Sequence, residues 1–180
     1  MKIMFASDLH GSGYYCEKML QAYKKEKADR LVLLGDILYH GPRNDLPRDY
    51  NPKKVIDMLN GEKDRIYGVR GNCDSEVDQM VLDFPIMADY SLILDGEYVI
   101  YATHGHIFHQ DHLPPMKRGD ILIHGHTHVL KAEKMDDYYL LNPGSVSIPK
   151  EGNIPTYGIW EEGNFKVKGF QEEIIKEITI

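Results

Sequence analysis

Short apolar runs alternate with helical patterns through the first half of the chain. Ile3–Ala6 reads as a strand, after which Cys16, Met19, Leu20 and Tyr23 recur at helical spacing. Leu31–Leu34 reads as a second buried strand. Asn51-Pro52 opens a helix with Val55, Ile56 and Leu59 on one face, since Asn caps a helix well and Pro suits its first position. Ile66–Val69 predicts a third strand, and the helix after it is expected to turn Val77, Met80 and Val81 inward. This rhythm predicts a largely parallel sheet.

The second half changes character. Ser91–Leu94 and Tyr98–Thr103 flank Asp95-Gly96, a hairpin signal. Ile121–Ile123 is another apolar strand. Val129–Met135 and Tyr138–Leu141 surround Asp136-Asp137, and Tyr157–Trp160 and Phe165–Gly169 surround Glu162-Gly163-Asn164. The later strands are therefore expected to be mostly antiparallel. Without repeats, low-complexity tracts or a linker, residues 1–180 read as one domain, and two facing sheets with helices outside suit this order.

Composition narrows the function. At 42% hydrophobic and 27% charged, the chain has the make-up of an ordinary globular protein. A net charge of -7 argues against a stable nucleic-acid complex or an anionic membrane as partner, because both need a basic patch. Two cysteines, Cys16 and Cys73, are too few for a disulfide framework. The N-terminus turns polar too soon for a signal peptide, and no apolar run would span a bilayer, so a cytoplasmic protein is expected.

The polar residues carry the chemistry through their placement. Ile3–Ala6 leads to Asp8 and His10, Leu31–Leu34 to Asp36, Ile66–Val69 to Asn72, Tyr98–Thr103 to His104, and Ile121–Ile123 to His126 and His128. Ligands of α/β sheets gather at the carboxyl ends of strands, so five strand ends can deliver carboxylate, amide and imidazole to one place. Taken singly, each piece has an ordinary explanation: Gly71-Asn72 as a turn, His104 as a satisfied core histidine. The strongest single piece is His126-Thr127-His128, where alternation along an extended segment would send both rings to one side. THGHIFHQDH (103–112) imitates a metallo-β-lactamase site but has Phe108 where that site needs an aspartate. His109 and His112 accordingly read as loop or cleft residues.

D-L-H at 8–10, G-D at 35–36, G-N-C-D at 71–74, T-H-G-H at 103–106 and H-G-H-T-H at 124–128 resemble the calcineurin-like metallophosphoesterases, and among them the small YfcE-like phosphodiesterase branch. GDILYHGPRND (35–45) and NPGSVSIP (142–149) fit that branch too, so the resemblance covers nearly the whole chain. It implies a four-layer α/β/β/α sandwich of two mixed sheets with flanking helices. It also implies a dinuclear site in which Asp8, His10 and His128 hold one ion, Asn72, His104 and His126 hold the other, and Asp36 bridges both. His124 is expected to be structural.

Oxygen and nitrogen ligands without thiolate suit manganese, iron, zinc or nickel, and the sequence does not choose among them; manganese is the leading expectation, with magnesium a further alternative. Two such ions can clamp an in-line phosphoryl displacement, so the implied activity is hydrolysis of a small phosphoester, a diester first, by attack of a metal-bridging hydroxide. Cys73 departs from the wider family, where many relatives place a histidine able to protonate the leaving oxygen; a neutral thiol donates poorly. Asp74 is expected to orient a neighbour, alongside a catalytic assignment for Asp36, Cys73 and Asp74. His40, Arg43, Asn44 and His106 are candidate substrate contacts, with Arg43 suited to a phosphate oxygen. The alternatives are a non-catalytic metal-binding scaffold for protein interaction on the same fold, as in retromer, and a single-zinc hydrolase. Pairing of chains into a dimer or larger homo-oligomer stays open.

Overall fold

The computed structural model describes residues 1–180. Its elements run β1 (Lys2–Ala6), α1 (Gly13–Glu26), β2 (Arg30–Leu33), α2 (Pro52–Asn60), β3 (Ile66–Gly68), α3 (Glu76–Gln79), β4 (Tyr90–Asp95), β5 (Tyr98–Thr103), β6 (Ile121–Ile123), β7 (Lys131–Lys134), β8 (Tyr139–Asn142), β9 (Thr156–Glu161), β10 (Asn164–Gly169) and β11 (Ile174–Thr179). They form two mixed sheets, ordered β11-β10-β9-β1-β2-β3 and β4-β5-β6-β8-β7.

β1 shows why the chain layers as it does. Both of its faces are apolar, so both must be covered. Ile3 and Phe5 pack between the sheets with Val32, Ile100, Ile121, Ile123, Trp160 and Phe165. Met4 and Ala6 face the other way, onto Cys16, Met19 and Tyr23 of α1 and Val55 and Leu59 of α2. Both long helices are capped as their sequences require: the Ser12 hydroxyl accepts from the Tyr15 N–H, and the Asn51 side chain accepts from the Lys54 N–H with Pro52 in the first turn. No helix is long and apolar enough to cross a membrane.

One expectation needs correction. α3 lasts one turn, leaving Val77 and Met80 69% and 82% exposed. The irregular stretch beyond it supplies Leu82, Phe84 and Ile86 to the core instead. The later strands are mostly antiparallel, as expected, and the three predicted hairpins form, but β6 differs by pairing parallel with both β5 and β8. That difference builds the site. β1, β2 and β3 are mutually parallel, as are β5, β6 and β8, and the loops after all six converge on one edge of the sandwich. Antiparallel pairing of β5 with β6 would have sent His104 and His126 to opposite ends. β11 carries no expectation from the sequence pattern; it pairs antiparallel with β10 at the sheet edge.

Candidate metal centre

The seven residues expected to ligate metal come together at that edge. Asp8 and His10 follow β1, Asp36 follows β2, Asn72 follows β3, His104 follows β5, and His126 and His128 follow β6. Five of them, Asp8, His10, Asp36, His126 and His128, have positive φ, between 50° and 64°. Left-handed backbone is costly for residues with a Cβ and persists only where the surroundings enforce it.

The enforcement is visible. Asp8 Oδ2 accepts the His126 backbone N–H at 3.0 Å, and the Asp8 carbonyl accepts both the Ser145 and Ser147 hydroxyls at 2.9 Å. Asn142 donates to the Gly125 carbonyl at 3.0 Å and to the Thr127 hydroxyl at 3.1 Å, bracing the turn that carries His126. Asp74 accepts the backbone N–H groups of Asp36, Ile37 and Gly71 at 2.8, 2.9 and 2.7 Å, tying the loop after β2 to the loop after β3. A Cβ on Gly71 would lie 2.1 Å from Asp36 Oδ1, so that close approach requires glycine.

Hydrogen bonds also fix which imidazole nitrogens face inward. A carbonyl can only accept, so the Nδ1–H groups of His10, His104 and His128 donate to Tyr39, Leu34 and Ile148 at 2.8, 2.7 and 2.7 Å. In the neutral tautomer each Nε2 then carries a lone pair turned to the centre. The His10 and His128 Nε2 atoms stand 3.4 Å apart. His104 Nε2 lies 3.1 Å from Asn72 Oδ1 and 3.2 Å from His126 Nδ1. Asp8 Oδ1, which is buried, has no hydrogen-bond partner and lies 3.2 Å from His128 Nε2. Asp36 divides its oxygens, Oδ2 lying 3.7 Å from His10 Nε2 and Oδ1 3.5 Å from His104 Nε2. Facing lone pairs repel unless a cation stands among them, so this donor set fits metal.

The electrostatics agree. Burial works against charge on His104, but Asp36 and Asp8 outweigh it and raise the imidazole to about 9. Burial likewise opposes charge on His10, whose value is nonetheless raised through Asp8. Burial would raise the Asp8 and Asp36 carboxyls, yet the surrounding histidines hold both below the ordinary range. The site therefore draws positive charge. His124 differs: burial pushes it down to about 4, and its ring donates to the Gly125 carbonyl away from the cluster, in keeping with a structural role.

The remaining candidates divide. Arg43, Asn44 and Cys73 line a cleft of about 430 Å³ over Asp36, Asn72, His126 and His128. Cys73 donates its backbone N–H to Asp36 Oδ1 at 2.9 Å, and burial, with Asp36 next, pushes its thiol up to about 12. His40 turns its ring between Tyr39 and Tyr50 and contributes a carbonyl that accepts from Asn44 at 2.8 Å, so it supports the loop rather than facing the cleft. Asp74 orients backbone rather than a histidine. His106 stacks edgewise on His104, ring centres 5.3 Å apart, and lines a neighbouring cleft. Sequence reasoning missed Thr127 and Lys150 of the first cleft, and the bracing by Asn142, Ser145 and Ser147. The NPGS turn at 142–145 was the available signal.

Comparison with known proteins gives one family. The model described as calcineurin-like phosphoesterase superfamily domain matches residues 1–164. Phosphodiesterase YfcE of Escherichia coli strain K12 is 45% identical over 181 residues, covering 100% of this chain and 98% of that protein. Phosphodiesterase MJ0936 of Methanocaldococcus jannaschii is 27% identical over 165 residues, 88% of this chain and 92% of the other. The solved structure of YfcE, a phosphoesterase from E. coli, superposes with a TM-score of 0.98 at 45% identity, covering 100% of both chains. Vps29 of Chaetomium thermophilum superposes at 0.63 with 15% identity, covering 99% and 97%, a likeness of fold alone.

Proposed function

This chain belongs to the calcineurin-like phosphoesterase superfamily, and from that premise we propose that it hydrolyses phosphodiesters at a two-metal site. The observation that carries the reading is the split of Asp36: one oxygen turns to the His10 side and the other to the His104 side, amid imidazole nitrogens turned inward. Asp8, His10 and His128 would hold the first ion, Asn72, His104 and His126 the second, and Asp36 would serve both. Bound there, two divalent ions supply Lewis-acid activation of water and neutralise charge on the phosphoryl group. Manganese is the metal to test first; four imidazoles with two carboxylates and an amide suit zinc, iron or nickel as well, and the one nearby sulfur is a protonated thiol.

The protein's own residues do the rest. Arg43, Asn44 and Lys150 line the first cleft and bind phosphoryl oxygens beyond the metals. Cys73 stays neutral at physiological pH and cannot supply a ready proton to a departing alkoxide, which favours diesters and good leaving groups. The whole chain acts as one domain in this reading, and its two free thiols suit the cytoplasm. A non-catalytic scaffold is disfavoured because each of the seven ligand positions carries a ligating side chain.

The test is bis-p-nitrophenyl phosphate turnover after exhaustive chelation. Activity should vanish, return with manganese, and stay absent with calcium. Turnover that survives chelation would contradict the proposal.

A further inference from the structure

A second cleft, of about 360 Å³, lies beside the first, and the two share His126 and Thr127 as a common wall. Its other functional lining is His106, His109, Gln110, Asp111, His124 and Lys131, with no apolar residue among them. Two of these groups are unsatisfied. His106 Nδ1 and His124 Nε2 are closed to bulk solvent and have no hydrogen-bond partner in the protein, although His124 is only 3% exposed. Native structures rarely leave buried polar atoms unpaired, and those that do remain call for a ligand or water. Because the His124 Nδ1–H donates to the Gly125 carbonyl at 3.0 Å, its Nε2 is an acceptor seeking a donor. Above it, Lys131 donates to Gln110 Oε1 at 3.1 Å and makes no ion pair, while Asp111 stands 3.8 Å from His109 Nδ1.

We propose that this second cleft receives the ester arm of the substrate that is not cleaved, and that this arm carries vicinal hydroxyl groups, as a sugar or glycerol does. The inference rests on the phosphodiester reading above. A diester has two arms, and the structure has two clefts meeting at His126. A hydroxyl both donates and accepts, so it can satisfy an imidazole acceptor and an ammonium donor together. An ammonium and a carboxylate on the same walls suit a neutral arm better than a charged one. The absence of apolar lining disfavours an aliphatic or lipid arm.

The experiment compares methyl p-nitrophenyl phosphate with glyceryl p-nitrophenyl phosphate, which share charge and leaving group and differ in the hydroxyls. Manganese-loaded wild type should show kcat/KM about tenfold higher for the glyceryl ester. His109→Leu combined with Lys131→Met should bring that ratio to near one with manganese content unchanged. A wild-type ratio near one, or a ratio the double variant leaves intact, would overturn the proposal while leaving the phosphodiester reading standing. Release of p-nitrophenolate from neither ester by manganese-loaded wild type would overturn both.

Discussion

At the scale of single residues, burial and carboxylates compete over His104, and the carboxylates win, raising it to about 9. Its folded value exceeds the unfolded one near 6.5, so protonated His104 stabilises the metal-free fold fully below about pH 6.5. That contribution is lost as pH rises through about 9. Asp8 and Asp36 act in the opposite sense: held below the ordinary range, they stabilise above about pH 4 and lose the effect as pH falls. His124 works against the fold in acid: buried neutral, with its value down to about 4, it removes stability as pH falls from about 6.5 toward 4. Chelated protein should therefore be most stable near pH 6.5, and weaker by about 3 kcal/mol at pH 10. Denaturant midpoints across pH measure this. Metal-loaded protein should show none of the alkaline loss, because the cation replaces the proton; identical profiles with and without metal would contradict the assignment.

Cys73 offers a second residue test. Cys73→His places a titratable proton donor at the cleft wall, and turnover of diesters with poor alkyl leaving groups should rise at least tenfold. Steady-state kinetics with matched aryl and alkyl esters read it directly, and no gain for the alkyl ester would count against a proton-supply limit. The motif residues around Cys73 were legible from the sequence because each ends an apolar run, and the fold gathers such ends. Lys150 and Thr127 were not. Their place in the cleft depends on the turn after β6 meeting the segment after β8, where the Lys150 N–H donates to the His128 carbonyl at 3.2 Å.

At the scale of elements, the site hangs on braces between loops. Asp74 holds three backbone N–H groups from two of them. Asp74→Ala would leave those donors buried and unpaired, at a cost of about 3 kcal/mol, or a Tm lower by roughly 10 °C. Because one of those donors belongs to Asp36, manganese affinity should fall as well. Calorimetric melts and a metal titration on the same variant check both; a stable variant with unchanged affinity would contradict the bracing role. The sequence fell short here for an identifiable reason. Periodicity reports burial, not strand direction, so β5, β6 and β8 could not be read as parallel. β11 was hidden because Ile174, Ile175 and Ile178 also fall at helical spacing, although four of its six residues are β-branched strand formers. α3 failed for the converse reason: its helical spacing is genuine, but Leu82, Phe84 and Ile86 fill the core positions that Val77 and Met80 were expected to take.

At the scale of the whole molecule, two sheets pack so that six parallel strands end at one edge. A chain of net charge -7 thereby concentrates imidazoles, two carboxylates and an amide where only cations can reconcile them. The number of cations is the most direct measure of that arrangement. Chelated wild-type protein titrated with manganese by calorimetry, with elemental analysis of the saturated product, should bind two ions per chain, and Asp36→Asn should lose tight binding of both. No ion, or a single ion unaffected by Asp36→Asn, would contradict the shared dinuclear centre.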